Sequence, residues 1–190
     1  MNFLKHSPAL EGQHAFLGAS NYHWLNYNDD KLYAAYIRQK QKETGTKLHE
    51  FAAEAIKLGQ KLPRTPKTLN MYVNDAIGYK MTAEQLLYYS DNCFGTADAI
   101  CFREVNGKQL LRIHDLKTGI GPTSFKQLYI YTALFCLEYK IKPIDIDVEL
   151  RIYQLDDVRT EVPLPEDILH IMEKIQSSDK LLTKIKMEES

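Results

Sequence analysis

Long apolar runs are missing from this chain of 190 residues. No stretch approaches the roughly 18 consecutive apolar residues of a membrane-spanning helix, and the first residues show no basic segment followed by an apolar run. A membrane protein is therefore not expected, and a cytoplasmic location is. Cysteine is scarce: Cys93, Cys101 and Cys136 are odd in number and lack CxxC spacing. Neither a disulfide framework nor a zinc or iron–sulfur site is indicated, and buried free thiols are expected. Charge of one sign is missing too, because a net charge of −1 argues against a uniformly basic nucleic-acid binder. Repeats, low-complexity tracts and linkers are also absent, so residues 1–190 are expected to form one domain.

The charge that is present is unevenly placed. Residues 31–67 hold nine Lys/Arg against three Glu, whereas residues 141–190 hold seven basic and twelve acidic residues. One part of the chain can meet phosphates and the other is an acidic, solubilising surface, although charge runs are more often simply solvated helix faces.

The most informative segment runs from Gly95 to Lys117. Asn106-Gly107 separates two apolar-rich runs, the strongest short-range hairpin signal, because both residues of a type I′ turn need positive φ. With a two-residue loop, Val105 faces Lys108, and Asp98 then lies opposite Asp115. Ile100 with Ile113 and Phe102 with Leu111 continue that face as a core ladder. The other face, with Ala99, His114, Cys101, Arg112, Arg103 and Leu110, reads as more polar. Two carboxylates directly opposite each other repel, and at the end of an apolar stripe they are costly to desolvate. A cation between them would resolve the conflict, and Lys117 lies on the same face. An exposed salt-bridged edge also fits the pattern, and a bulge would undo the register.

Periodicity predicts helices over about Asp30–Lys42 and from Thr46 to near Gly59, interrupted at Thr44-Gly45-Thr46, then a third from about Pro66 to Ile77. A strand follows from Glu84 to Tyr89, then the hairpin, then a helix from about Thr123 to Tyr139. Ile144 to Ile152 alternate strictly with charged residues, as in a half-buried strand, and Thr160–Val162 suggest a short one. Pro163 and Pro165 precede a final helix that extends to about Lys186. This order predicts a mixed α/β (α+β) fold, β-β-β-α-β flanked by helices, with one parallel pair at the crossover and a helical N-terminal region. The N-terminal aromatics Tyr22, His23, Trp24 and Tyr27 are expected to pack in a core in preference to stacking on unpaired bases.

Gln127 and Tyr131 share a helix face just beyond Lys117, and His49 lies in a helix. Singly, each is ordinary. Together, Gly45-x-x-x-His49, Gly95-x-x-Asp98, Asp115-x-Lys117 and Gln127-x-x-x-Tyr131 resemble, in order, the RecB-type branch of the PD-(D/E)XK nuclease superfamily, over about residues 45–155. The four flanking cysteines of iron–sulfur members are not present, and neither is a helicase segment.

The resemblance implies a restriction-endonuclease-like core: residues 1–80 as a helical, DNA-facing part, 84–162 as catalytic sheet and crossover helix, 164–186 as a C-terminal helix. It implies Mg²⁺ or Mn²⁺ held by His49, Asp98, Asp115 and the carbonyl of Leu116, with Lys117 activating water and Gln127 and Tyr131 reaching the phosphate or its nucleotide. Hard oxygen donors independently suit these ions, and the imidazole tilts the site toward Mn²⁺. The implied activity is a DNA exonuclease of recombination or repair, in a bacterial or phage-infected cell, acting on DNA ends or single strands. A recombination-protein partner and a homo-oligomer are compatible with it. A structure- or site-specific endonuclease and a catalytically silent DNA-binding protein on the same fold remain as alternatives.

Overall fold

A computed structural model describes residues 15–189. The chain divides into two compact units that part between Thr44 and Gly45. The expectation for the first residues lies, for 1–14, outside the described part.

A 3-10 helix of the N-terminal unit, Ala19–Asn26, leads into helix α1, Asp29–Leu58, whose residues from Gly45 onward belong to the second unit. Asn28 caps α1 by accepting the Lys31 N–H through Oδ1 at 2.9 Å, and Asp29 and Asp30 complement the positive end of the helix dipole. Phe16 meets Tyr36 edge-on at 5.3 Å, and Lys31 covers the ring of Tyr27. Of the N-terminal aromatics, Tyr22, 60% exposed, and His23 are exposed with their rings 4.8 Å apart, whereas Trp24 and Tyr27 are half-buried.

One continuous α1 replaces the two helices expected on either side of Gly45. Glycine disfavours a helix interior by about 1 kcal/mol, which is too little to outweigh packing. Gly45 is buried, and a Cβ there would sit 2.7 Å from Thr118 Oγ1. Thr46 therefore lies inside the helix and not at its start. The true stop is Gly59, at φ +65°, where the Gln60 N–H reaches back to the Ala55 carbonyl.

The larger unit continues with α2 (Thr68–Gly78), β1 (Thr82–Ser90), β2 (Cys93–Val105), β3 (Lys108–Leu116), α3 (Lys126–Tyr139), β4 (Asp147–Gln154), β5 (Asp157–Glu161) and α4 (Pro165–Glu188). The five strands lie in sequence order, with β3 and β4 parallel and the other pairs antiparallel. This is the mixed α/β architecture with one parallel crossover that the element order predicts. Asn106 and Gly107 both have positive φ, +52° and +79°, and Val105 pairs with Lys108. The register runs unbroken to Ala99 opposite His114. β4 starts at Asp147 and not at Ile144, because Pro143–Asp145 form a 3-10 turn first.

Each face of the sheet carries a buried core. Ile100, Leu111, Ile113, Val148, Leu150 and Ile152 pack beneath α3 and α4. The face expected to be more polar is also covered: Ala99, Cys101, Leu116 and Tyr153 lie in a second core with Ala52 and Ile56 of α1 and Tyr72, Val73 and Ala76 of α2. His114 is fully buried there, its Nδ1 3.2 Å from the Tyr153 hydroxyl, and burial lowers its pKa to about 3. Arg112 lies over the ring of Tyr79 and pairs with Glu149, which lets a charged side chain finish that face. Cys101 and Cys136 are buried free thiols, as expected, and Cys93 is half-buried. No helix among the described residues is long and apolar enough to cross a membrane.

Candidate metal centre

The hairpin brings the two acids to neighbouring strands, one step beyond the last regular pair of the ladder, Ala99 with His114. They do not stand as a bare pair. Oδ2 of Asp98 accepts the backbone N–H of Leu116 at 2.9 Å and lies 3.4 Å from His49 Nδ1. Leu116 thus meets Asp98 through its amide. Asp115 turns to Lys117, whose Nζ donates to Oδ1 at 3.1 Å. Its Oδ2 is 3.0 Å from the same ammonium without hydrogen-bond alignment, and this buried oxygen has no other partner.

Lys117 also joins the helix. Its Nζ donates to Gln127 Oε1 at 2.8 Å, and Gln127 Nε2 donates to the Tyr131 hydroxyl at 2.9 Å. Asp115, Lys117, Gln127 and Tyr131 therefore form one chain of hydrogen bonds from β3 across the first turns of α3. The chain closes back on β2, because the Tyr131 ring lies over Gly95: a Cβ there would be 2.9 Å from Tyr131 Cε1. Both glycines of the ordered motifs thus have a steric reason to be glycine. Gly95→Ala should push the ring aside and cost about 1–3 kcal/mol. Tyr131→Ala should relieve most of that cost in the double variant, as read by denaturant titration; strictly additive effects would mean the ring does not set the clash.

A residue that the sequence reading passed over completes the centre. Glu84 lies between Ala83, paired with Ala99, and Gln85, paired with Ala97, which sets it opposite Asp98. Oxygens of Glu84 and Asp98 and a ring nitrogen of His49 all lie within 4.8 Å of one another. Glu84, Asp98 and Asp115 form a row of acids across three adjacent strands. Asp115 stands outside the closest group, held by Lys117.

The backbone is unusual at this row. Glu84 has φ +52°, a region that costs an ordinary side chain of order 1 kcal/mol or more and recurs at functional sites. Ala83 and Ala99 belong to the core beneath α1 and α2, whereas Leu87 and Ala97 belong to the core beneath α3. Each strand is therefore switched over at the acids, although even spacing would keep one face. Strict alternation was the signal available in the sequence, and it fails at the position where Glu84 sits.

The electrostatics favour a cation. Burial, and then the Asp115 carboxylate, push the pKa of Asp98 up to about 6. Burial likewise raises Asp115, partly offset by Lys117. Three carboxylates face one lysine and one imidazole, so negative charge is under-compensated. The Asp115 oxygen that accepts no hydrogen bond and the oxygen-rich donor set fit a hard divalent cation such as Mg²⁺ or Mn²⁺. Tyr131 keeps its proton, its pKa raised chiefly by burial, so it can donate a hydrogen bond.

No protein-family model matches this chain, and no curated protein does either. A solved structure, "Crystal structure of SSO0001", aligns at 15% identity with a TM-score of 0.30, covering 50% of this chain and 49% of its own. The chain thus spans about half the length of that structure, and a likeness this slight says nothing about function.

Proposed function

We propose that this protein is a divalent-metal-dependent nuclease that hydrolyses phosphodiester bonds in DNA, working from ends as an exonuclease of recombination or repair. The observation that carries the reading is the acid row Glu84, Asp98 and Asp115 beside a lysine fixed by Gln127 and Tyr131. Like charges gathered and partly buried cost stability, and a site that recruits a cation recovers it. The order of the four motifs along the chain supports the same reading through its resemblance to RecB-type nucleases.

His49, Glu84, Asp98 and Asp115 would hold the cation. When bound, the ion supplies positive charge to the scissile phosphate and lowers the pKa of a water. The remaining work falls to the chain's own groups. Lys117 has three N–H donors, of which Asp115 and Gln127 take two. The third is available to a phosphate oxygen or to the attacking water. Gln127 fixes the lysine's position, and Tyr131 fixes Gln127, so the ammonium is pre-organised and needs no reorientation during reaction. His49 brings a neutral ligand from α1, which adds affinity without adding to the negative charge.

End-labelled linear DNA and covalently closed circles, incubated in Mg²⁺ or Mn²⁺, test the proposal. Linear DNA should shorten progressively while closed circles survive. Discrete fragments from the circle would replace the exonuclease with an endonuclease. Intact DNA of both forms in either metal would leave a silent binding protein on the same fold.

A further inference from the structure

The switch of faces at the acid row has a second result. Beyond it, the residues of β1 and β2 that would otherwise lie under α3 turn to solvent. Leu86 stands opposite Thr96, and Tyr88 opposite Phe94, all on the exposed side. Phe94 is 60% and Tyr88 44% exposed, and their rings lie nearly parallel, 22° apart with centroids at 6.4 Å. Their neighbours Leu87 and Gly95 point the other way, into the core and onto Tyr131. Two large, exposed and nearly parallel rings on a two-stranded ribbon are not there to fill a core.

The ribbon has a direction. Glu84, Leu86 and Tyr88 follow one another at even positions on β1, as Asp98, Thr96 and Phe94 do on β2. The rings therefore lie four residues, about 13 Å, from the acid row along the same ribbon. At the ~3.4 Å spacing of stacked nucleotides this corresponds to three or four nucleotides, and fewer for an extended strand.

Tyr88 is also fixed in place. Its hydroxyl donates to Asp91 Oδ1 at 2.8 Å, and its backbone N–H donates to Glu138 Oε2 at 3.0 Å. The second bond occupies the outer edge of β1, and the left-handed Glu84 interrupts the same edge. Both features obstruct strand addition by a second copy of the chain.

We propose that Tyr88 and Phe94 form a stacking platform for unpaired nucleobases of the strand whose phosphate lies at the acid row. The inference rests on the nuclease reading and narrows its substrate to single strands or frayed ends. Aromatic faces suit this occupant because every base offers a π-face, and a paired base keeps its faces inside the duplex. The platform selects unpaired DNA, and the acid row acts on it.

Binding of a labelled single-stranded oligonucleotide in EDTA, followed by fluorescence anisotropy, tests the platform without cleavage. Phe94→Ala and Phe94→Leu should each weaken binding about tenfold or more, Phe94→Tyr should retain it, and blunt duplex affinity should not change. Unaltered melting temperatures would establish that the exposed substitutions leave the fold intact. Wild-type affinity in both Phe94→Ala and Phe94→Leu overturns the platform while leaving the nuclease reading standing. Failure of the unaltered protein to bind or cut any DNA removes both. A dimer in light scattering that Phe94→Ala turns into a monomer assigns the rings to a second copy and also overturns the platform.

Discussion

Asp98→Asn and Asp115→Asn are each expected to leave a folded protein that no longer cleaves DNA in Mg²⁺ or Mn²⁺. The loss should be on the order of 10³-fold or more, because charge stabilisation at the phosphate is commonly the largest catalytic contribution. Neither change removes packing volume, and each removes a source of repulsion within a partly buried row. Mn²⁺ titration calorimetry separates the contributions of the other two groups. Glu84→Gln and His49→Ala should both weaken Mn²⁺ binding, since their ligand atoms share one 4.8 Å group with Asp98. Unchanged affinity in Glu84→Gln would make its left-handed backbone a structural peculiarity. Full cleavage by Asp98→Asn would falsify the site itself.

The second large effect is a dependence of metal-free stability on pH. In the unfolded chain Asp98 titrates near 3.8, and in the fold at about 6. Between these values the folded state binds more protons, so this contribution is full below pH 4 and is lost as pH rises through 6. Two pH units correspond to up to ~3 kcal/mol. Asp115 is shifted in the same direction. His114 acts oppositely: its pKa falls from 6.5 to about 3 on folding, so its burial favours the fold increasingly as pH rises through that interval. The two trends overlap and largely cancel in the unaltered protein. The difference between the protein and Asp98→Asn isolates the acid. In EDTA, Asp98→Asn should match the parent near pH 4 and exceed it by up to ~3 kcal/mol at pH 7. Saturating Mn²⁺ should abolish that advantage. Equal stability at pH 7 in EDTA would mean that Asp98 carries no electrostatic cost. Asp156 and Asp179, held low by their hydrogen bonds, affect only the range below pH 4.

What the sequence disclosed depended on how local each signal was. Asn106-Gly107 sets the hairpin register because a two-residue turn admits few alternatives, and from it Asp98, Asp115 and Lys117 follow. Gln127 and Tyr131 follow from helical spacing. Gly45 misled because its small size serves a contact with Thr118, seventy-three positions along the chain, and not a helix break. The second core was hidden for a similar reason. Cys101, Arg112 and His114 read as a polar face, and only the docking of α1 and α2 makes it a buried one. Glu84 went unseen because a left-handed residue within a strand has no signature in a single sequence, and glutamate is not a residue that favours the conformation.

Only two residues join β2 to β3, whereas β3 reaches β4 through a loop, a whole helix and a 3-10 turn. Local pairings form early and cross-chain ones late, so Asp98 and Asp115 are drawn together near the start of folding. If that hairpin forms in the folding nucleus, their repulsion slows folding more than it speeds unfolding. A proton or a divalent cation present while the chain collapses removes that brake. A divalent cation held there would thereby hasten the assembly of the hairpin itself.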